Sequence, residues 1–340
     1  MTAKQLKFGI LGAGSIGSYI GAHLIHAGID TILVGREKLA QEIRGNGLRI
    51  TNLTGTDFRL EPEQVQYATS EAVLADRDII LVTLKSLATE EAAHSLKKVL
   101  PPGKTVVSFQ NGVRNAEVLR SILTEQDVLA GMVPYNVVWN PNAHFHCGTS
   151  GVLAVEERGD ISFAVVSGLQ YAGLAAKAYA NLPGILWGKL IFNLNNAINA
   201  LADIPLREEL SQPAYRKIIA GAMREALSVL QQSAIRPIGS GRMLPGVAPL
   251  VLQLPNFLFF RVASNMIKID PQARSSMWED LQRGRKTEID YINGEIVALA
   301  EKNGLAAPIN AAITHLIKDA EKGAKPKMSA PELAKRLGLA

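Results

Sequence analysis

Cysteine is nearly absent from this chain, since Cys147 is the only one among 340 residues. A single thiol excludes an internal disulfide framework and a cysteine-rich metal site, and it is typical of a protein kept in a reducing compartment. The first residues also run directly into an apolar strand, which leaves no room for a signal peptide. The sequence therefore predicts a cytoplasmic protein.

Long uninterrupted hydrophobic runs are also missing. The most apolar stretch, 247–269, is broken by Pro249, Pro255 and Arg261, which makes it a poor membrane span. We therefore expect no membrane association. The same stretch is apolar enough to suggest a homodimer.

Neither sign of charge dominates, and the formal net charge is only +5. More than half of that excess lies near the end of the chain, where 318–336 holds six Lys or Arg against three Asp or Glu. Without a basic stripe on a folded face, we expect no nucleic-acid partner, although the positive balance suits small anionic substrates. The six histidines show no ligand pattern on one helix face, so no metal is expected, even for the alternating pair His144 and His146.

What the chain does have is a glycine-rich turn at the end of its first apolar strand. Gly12, Gly14 and Gly17 follow Phe8-Gly-Ile-Leu in the spacing GxGxxG. A helix over about 15–28 and a second strand over 31–34 complete a strand–helix–strand unit. In this context the first glycine permits a tight turn, the second lets the backbone approach a pyrophosphate, and the third lets the helix pack closely. The pattern predicts a dinucleotide site that includes Ala13, Ser15 and Ile16; the alternative is an ordinary glycine-rich turn.

The end of the second strand indicates which dinucleotide. Leu33-Val34-Gly35-Arg36 has no acid at the tip, where NAD-selective folds usually carry Asp or Glu for the ribose 2′-hydroxyl. An arginine can instead pair with a 2′-phosphate through its planar fork of donors. We interpret the site as one for NADP(H), with Arg36 as its phosphate ligand, unless Arg36 is only a solvated surface residue.

The pattern of strands and helices changes near residue 182. Before it, apolar runs at 78–84, 105–109 and 128–133 alternate with helical patterns at 90–100 and 116–123, and 144–157 suggests a hairpin at the sheet edge. A helix near 161–171 and the segment 175–179 complete this part. After it, only helical patterns appear, at 186–202, 213–235, 272–283, 287–303 and 308–322, with a proline-broken apolar region at 247–268.

These patterns predict an α/β Rossmann-type doubly wound N-terminal domain plus an all-α C-terminal domain. We place an NADP-binding domain at 1–181, a helical substrate and catalytic domain at 182–323, and a loosely attached tail at 324–340 in which 330–337 could form a short helix. Ligands of such folds bind at the carboxyl ends of the strands and in the cleft between domains.

The helix predicted over 187–201 carries polar side chains on an otherwise apolar surface. Leu190, Leu194, Ile198 and Leu201 form an apolar stripe, whereas Lys189, Asn193 and Asn196 share another face at i, i+4 and i+7. Polar groups on such a helix line water or a ligand cleft, because burying them unpaired is costly. The alternative is a solvent-exposed polar face.

The segment 274–294 offers a serine and a carboxylate. Thr287 with Asp290 resembles a helix cap, and Glu288 would lie in the first turn of a helix whose buried stripe is Ile289, Ile292, Ile296 and Leu299. Glu288 could be only a first-turn acid, and Ser276 only a cap with Glu279. Two strand ends in the first domain, at Lys85 and Asn111, lie where ligands of open sheets bind, although either could be a plain loop residue.

Taken together, these segments resemble the ketopantoate reductase family (2-dehydropantoate 2-reductase). The resemblance rests on 12–17, 82–85, 110–112, 187–189 with Asn193, and 275–294, in this order along the chain. It implies a Rossmann N-domain, a helical C-domain, NADPH as hydride donor and ketopantoate, a 2-oxo acid, as substrate.

The resemblance also implies roles for individual residues. Lys189 looks like the general acid and Glu288 like the acid that holds substrate or cofactor in register. On the cofactor side it implies Arg36, Lys85, Asn111, Val137 and Glu288. On the substrate side it implies Asn111, Lys189, Asn193, Asn196 and Ser276.

Three positions depart from the family pattern: Ala197, Arg207 and Ala273 stand where relatives place polar residues near the substrate. The stretches 136–151 and 237–268 are also less typical of shorter members. The leading hypothesis is therefore NADPH-dependent reduction of 2-dehydropantoate to (R)-pantoate for pantothenate and coenzyme A synthesis. The alternatives are a paralogous reductase of another 2-oxo acid and a non-catalytic NADPH-binding regulator.

Overall fold

The computed structural model describes residues 5–239, 244–263, 272–324 and 326–339. The chain divides into two compact units, Met1–Leu182 and Pro183–Ala340. The first is built on strands and helices, and the second contains helices alone among its described residues.

The first unit contains an eight-stranded sheet. Its strands are β1 (Phe8–Leu11), β2 (Thr31–Val34), β5 (Gln66–Ala68), β6 (Ile79–Val82), β7 (Thr105–Ser108), β8 (Asp127–Met132), β11 (Leu153–Glu156) and β12 (Ala176–Tyr179). Their order is β12-β11-β8-β7-β6-β1-β2-β5, and the six strands from β8 to β5 are parallel. β11 runs antiparallel to β8 and pairs in parallel with β12.

The central strands form because their sequences are continuous apolar runs. Every residue of β1 and β6 is buried, as parallel strands covered on both faces require. The helices of this unit are α1 (Ser15–His26), α2 (Glu37–Asn46), α3 (Thr89–Val99), α4 (Asn115–Ile122) and α5 (Asp160–Tyr171). The expected doubly wound fold is confirmed.

A second, four-stranded sheet packs against α1. It consists of β3 (Leu48–Asn52), β4 (Asp57–Leu60), β9 (Val137–Asn140) and β10 (His144–Cys147), in the order β4-β3-β10-β9. His23 of α1 makes a ring contact with Phe58 of β4, and Tyr19 makes one with Tyr135, which lies just before β9.

The hairpin predicted over 144–157 is therefore wrong. β10 turns back on β9, with His144 opposite Asn140, and lies in the second sheet. The following strand, β11, is almost fully buried and enters the main sheet beside β8, because its apolar side chains fit the interior of that sheet rather than an edge.

The second unit is a set of helices. They are α6 (Leu182–Asn193), α7 (Asn195–Ala202), α8 (Leu206–Ser211), α9 (Pro213–Gln232), α10 (Ala248–Leu252), α11 (Asn256–Val262), α12 (Ser276–Gln282), α13 (Asn293–Lys302), α14 (Pro308–Glu321) and α15 (Ala330–Arg336). The stretch 264–268 of the predicted apolar region lies outside the described residues.

The helix predicted over 186–202 is two helices. The first begins earlier, at Leu182, and the regular pattern is interrupted at Leu194, although Leu194 keeps right-handed helical dihedrals and its amide still reaches Leu190. The apolar stripe is buried as expected, with Leu190 2% exposed and Leu194, Ile198 and Leu201 fully buried.

Arg216 of α9 lies at the centre of a polar cluster in this unit. Its side chain is fully buried and donates to the carbonyl oxygens of Leu210, Leu252 and Leu254 and to Asn256 Oδ1, all at 2.9 Å. Its guanidinium also stacks on Phe259, 4.2 Å from the ring centroid. One cation thus fixes α10 and the start of α11 to α9.

The tail is not loosely attached, contrary to the sequence-based expectation. α15 packs on α9 with Leu333 fully buried, and Met328 pairs its amide with the Leu201 carbonyl and its carbonyl with the Tyr215 hydroxyl. The apolar residues of 330–337 form a buried face. The prolines near this segment made it look like a loose tail in the sequence.

Candidate active site

The glycine-rich turn joins β1 to α1 and depends on glycine at two positions. Gly12 has φ of +107°, and a Cβ there would lie 2.7 Å from the Leu84 amide nitrogen. A Cβ on Gly17 would lie 2.5 Å from Thr83 Oγ1 and closer still to the Gly12 carbonyl oxygen. Both positions therefore let β1, α1 and the end of β6 approach closely.

Gly14 differs from these two because it faces open space. The nearest heavy atom to a Cβ built there is the Gly12 carbonyl oxygen, 4.0 Å away. Among the described residues no side chain caps α1, and its first turn contains no acid. Ser15 and Ile16 of that turn are partly exposed, while Ala13 is buried. An uncapped helix start beside an open glycine has the donors and the space that a pyrophosphate needs.

The tip of β2 lies against this turn. A Cβ on Gly35 would lie 2.9 Å from the Ala13 Cβ, and Gly12 donates its amide to the Val34 carbonyl at 2.9 Å. Arg36 follows directly and is exposed, and its guanidinium has no ion-pair partner in the described parts of the chain. The neighbouring carboxylate of Glu37 pairs with Arg44, so the free charge at this tip is positive.

The ends of β6 and β7 join the same region. Thr83 donates its hydroxyl to the Gly12 carbonyl at 2.8 Å, and Ser86 donates to the Asn111 carbonyl at 2.7 Å. Lys85, between them, is exposed, and Asn111 is partly exposed. The structure thus brings Gly12, Lys85 and Asn111 to neighbouring strand ends, as the sequence predicted.

Sequence reasoning missed the residues that hold this loop. Asn115 donates to both the Asn111 carbonyl and Ser86 Oγ, and Thr89 donates to Asn115 Oδ1 at 2.7 Å. Gln110 is buried and donates to Thr89 Oγ1 at 2.8 Å. The sequence did contain a signal for these residues, because a small polar residue stands at the start of each of the helices α3 and α4.

Val137, assigned to the cofactor by the family resemblance, lies in the second sheet. It is 8% exposed, lies in β9 opposite Cys147, and packs in the hydrophobic core. Its burial follows from the second sheet, which sequence patterns did not predict. The assignment of Val137 to the cofactor stays a prediction.

In the second unit, Lys189 projects from α6 beside a carboxylate. Desolvation lowers the pKa of its ammonium group to about 8, and the negative charge of Glu288 opposes that shift. A lysine with a pKa near neutrality can act as a proton donor, which an exposed lysine does poorly. The two residues lie 99 positions apart in sequence and interact within one unit.

Glu288 is 7% exposed and directly precedes a 3-10 turn, Ile289–Tyr291. Thr287 fixes this turn: its hydroxyl and its amide both donate to Glu321 Oε1 at 2.7 Å, and its Oγ1 accepts from the Ile289 amide. The predicted cap of Thr287 with Asp290 is wrong, because α13 begins only at Asn293. The buried stripe is largely confirmed, although Leu299 is only partly buried.

Asn193, Asn196 and Ser276 all present exposed or partly exposed side chains in this unit. The cap of α12 is Ser275, not Ser276: Ser275 Oγ accepts from the Trp278 amide at 3.1 Å and donates to the Asn196 carbonyl at 2.9 Å. That bond links the segment carrying Ser276 to the start of α7.

The three departures from the family pattern have different surroundings. Ala197 is fully buried in α7, and Arg207 is exposed on α8. Ala273 accepts a backbone hydrogen bond from Leu206 at 2.9 Å. None of the three offers a short polar side chain to a ligand.

A buried acid also escaped the sequence analysis. Glu209 of α8 is fully buried, and desolvation raises the pKa of its carboxyl to about 8, although hydrogen bonds from Asn195 and Asn199 oppose the shift. In the sequence it is one of two adjacent glutamates in a polar stretch, so no local signal distinguishes it from the exposed Glu208.

The described residues contain no cluster of three or more side chains that could hold a metal ion. His144 and His146 instead share a hydrogen bond partner, Thr51 Oγ1, at 2.8 and 2.7 Å. Of the helices that the structure describes, none has both the length and the apolarity to cross a membrane.

Two family models match successive parts of this chain. One, described as ketopantoate reductase PanE/ApbA, matches residues 8–159, and the other, described as the ketopantoate reductase PanE/ApbA C terminal region, matches residues 181–321. The chain belongs to the ketopantoate reductase family. It is therefore an oxidoreductase of a family that depends on pyridine nucleotides.

Relatives in this family match over nearly their whole length. A 2-dehydropantoate 2-reductase of Archaeoglobus fulgidus is 29% identical over 322 residues, covering 92% of this chain and 97% of the relative. One from Pyrococcus horikoshii is 27% identical over 321 residues, covering 93% and 98%.

Solved structures agree on the fold. A ketopantoate reductase of the PanE/ApbA family from Ralstonia eutropha JMP134 matches with a TM-score of 0.80 and 28% identity, over 93% of this chain and 99% of that one. A D-mandelate dehydrogenase solved with NADH and anilino(oxo)acetate matches with a TM-score of 0.77 over the same shares. At 21% identity that second likeness shows the fold alone.

Proposed function

We propose that this ketopantoate reductase family member catalyses the NADPH-dependent reduction of 2-dehydropantoate to (R)-pantoate, a step of pantothenate and coenzyme A synthesis. The observation that carries the proposal is the pair of Lys189, which is partly buried, and Glu288, which is buried; in this pair the ammonium has a pKa of about 8. A non-catalytic NADPH-binding regulator would have no need of a lysine tuned in this way.

The residues of the second unit account for the proton side of the reaction. Hydride addition to the 2-oxo carbon builds negative charge on the carbonyl oxygen, and the Lys189 ammonium donates the proton that neutralises it. Glu288 keeps that ammonium charged against desolvation and holds it in place. Asn193, Asn196 and Ser276 supply amide and hydroxyl donors for the substrate carboxylate and hydroxyl.

The residues of the first unit fit a phosphorylated dinucleotide. The open face of Gly14 and the start of α1 suit the pyrophosphate, and the guanidinium of Arg36, which has no ion-pair partner among the described residues, suits a 2′-phosphate. Lys85 and Asn111 lie at strand ends beside the glycine-rich turn and would hold the nicotinamide side. NADPH, when bound, supplies the hydride.

A second candidate is the reduction of another 2-oxo acid by the same acid and carboxylate. Ala197 and Ala273 favour it, because neither side chain can form a hydrogen bond where the family resemblance implies polar groups near the substrate. The D-mandelate dehydrogenase of similar fold was solved with an aromatic 2-oxo acid derivative, anilino(oxo)acetate.

The test is NADPH oxidation with 2-dehydropantoate, straight-chain 2-oxo acids and an aromatic 2-oxo acid. We expect the highest kcat/KM with 2-dehydropantoate; a preference of about tenfold or more for another acid would support the second candidate, and no turnover with any would support the regulator. Lys189→Ala should lower kcat by at least ~100-fold without weakening NADPH binding. Lys217→Ala, an exposed lysine of α9, is the matched control.

We further propose that the enzyme acts in the cytoplasm as a homodimer. Leu250, Phe257 and Val262 on α10 and α11 are 66%, 73% and 55% exposed, which is unusual for large apolar side chains of a monomer. Sedimentation of the wild type and of Phe257→Ser distinguishes a dimer from a monomer.

A further inference from the structure

One polar cluster in the second unit has no part in the chemistry described above. Its centre is Glu209, whose side chain is fully buried beneath α7. Glu209 Oε2 accepts hydrogen bonds from the amides of Asn195, at 3.2 Å, and Asn199, at 3.1 Å.

A count of donors and acceptors indicates the state of this carboxyl group. Glu209 Oε1 and Asn195 Oδ1 are both buried and have no hydrogen-bond partner among the described residues. Both atoms can only accept when the carboxyl is ionised, whereas a proton on Glu209 turns one of them into a donor. Desolvation raises the pKa of this carboxyl to about 8, so the proton is present at neutral pH.

No cation in the described cluster compensates a negative charge on Glu209. The ionisable groups of α9 nearest to α8 are Tyr215, which donates to the Met328 carbonyl, and Arg216, which donates to backbone carbonyls and Asn256. On α8 itself, Glu208 is exposed and of the same sign. Only the amide donors of Asn195 and Asn199 favour ionisation, and desolvation outweighs them.

The cluster connects to the residues assigned to the substrate. Asn199, held by Glu209, also accepts the Ser275 amide at 2.9 Å through its Oδ1. Ser275 in turn donates its hydroxyl to the Asn196 carbonyl at 2.9 Å. The backbone on either side of that bond carries Asn196 and Ser276, so the position of both depends on the two asparagines beneath them.

We propose that Glu209, as a neutral carboxylic acid, is a positioning residue that fixes Asn196 and Ser276 for binding of the 2-oxo acid. This inference rests on the proposed function of the same site. Glu209 makes no contact with the reacting atoms; it acts through Asn195, Asn199 and Ser275.

The test compares Glu209→Gln and Glu209→Ala with the wild type, and the control is Glu208→Gln on the exposed neighbour. A glutamine side chain has an N–H donor group and an acceptor oxygen at the positions of the O–H and C=O of the protonated acid, so KM for the 2-oxo acid should stay within about threefold. Alanine leaves both asparagines short of partners, and KM should rise about tenfold or more, with the Kd for NADPH unchanged within about twofold. An equal loss with glutamine and alanine, or no loss with alanine, overturns the proposal.

Dependence on pH gives a second reading if Glu209→Ala fails to fold. As pH rises through about 8, the wild-type carboxyl ionises and KM should rise relative to that of Glu209→Gln. Titration of Lys189 is common to both proteins and cancels in the ratio. If KM depends on pH in the same way in the wild type and in Glu209→Gln, the proposal is overturned.

Infrared spectra separate this inference from the proposed function. Between about pH 6 and about pH 10, the wild type should lose a carboxylic-acid carbonyl band that Glu209→Gln lacks. If no 2-oxo acid is reduced, the function is wrong whether or not that band appears. If reduction occurs without the band, only the role of Glu209 is wrong.

Discussion

Replacing Glu288 by glutamine should shift the pH dependence of the reduction to lower pH. Lys189 has a pKa of about 8 because desolvation lowers it while the charge of Glu288 raises it. Glutamine keeps the size of the side chain and removes the opposing charge. The ammonium then faces desolvation alone.

The size of the shift follows from the interaction of two close opposite charges. Such a partner favours the charged form by ~1–3 pH units, so the pKa of Lys189 should fall from about 8 to about 5–7. At pH ~7 the protonated fraction would drop from ~90% to ~50% or less. Because the proton donor must be charged, activity falls as pH rises through this pKa in both proteins, but earlier in the variant.

The measurement is kcat/KM for the preferred 2-oxo acid as a function of pH, with the rate monitored through the oxidation of NADPH. Asp290→Asn is the matched control: Asp290 lies two residues from Glu288, is exposed, and pairs with Lys318 at 2.7 Å. The fall of kcat/KM at alkaline pH (the alkaline limb of its pH profile) should coincide in Asp290→Asn and in the wild type. An alkaline limb in Glu288→Gln that superimposes on the wild-type limb refutes the coupling, and a wild type with no limb near pH 8 refutes the assignment of Lys189.

Three further predictions concern other parts of the chain. Arg36→Ala should raise the Kd for NADPH at least ~10-fold and leave that for NADH nearly unchanged, and an equal loss for both would remove its role at the 2′-phosphate. Gly14→Ala should fold with the wild-type melting temperature but bind NADPH weakly. Gly17→Ala should lose stability, because a Cβ on Gly17 would clash with the Gly12 carbonyl and with Thr83. Similar melting curves for the two variants would contradict this. Glu209 keeps its proton in the folded state up to about pH 8 and releases it when unfolded above about pH 4.5, so the free energy of unfolding should fall by up to ~1.4 kcal/mol per pH unit in that range relative to Glu209→Gln. The free energy of unfolding is measured by urea titration at each pH. If it depends on pH in the same way in both proteins, the carboxyl of Glu209 is ionised in the folded state.

The parts of the fold that could be predicted from sequence are those with strong local signals. Apolar runs gave the strands at 79–82, 105–108 and 127–132 to within a few residues, and the glycine spacing located the turn before α1. The second sheet was missed because its strands are short and half polar. The alternation of Leu48, Arg49, Ile50 and Thr51 was present, but its pairing with β10, nearly 100 residues later, has no local signal.

The candidate site shows the same limit. The family resemblance suggested Lys189 and Glu288, and their roles stay predictions; their mutual electrostatic contact depends on tertiary packing. Near the interruption at Leu194 and the start of α13 at Asn293, side chains bond to distant residues: Asn195 donates to Glu209, and Thr287 donates to Glu321. Propensity alone extends both helices through these points.

The contacts of Arg216 have a consequence for how the second unit opens. α10 and α11 have five and seven residues, too few to remain helical by themselves. Their order therefore comes from their packing in this unit and from the hydrogen bonds of the Arg216 guanidinium of α9, so this apolar segment should exchange its amide hydrogens as one cooperative group with α9. The surface that α10 and α11 form is rich in leucine and phenylalanine, and its motion is nevertheless tied to that of α9.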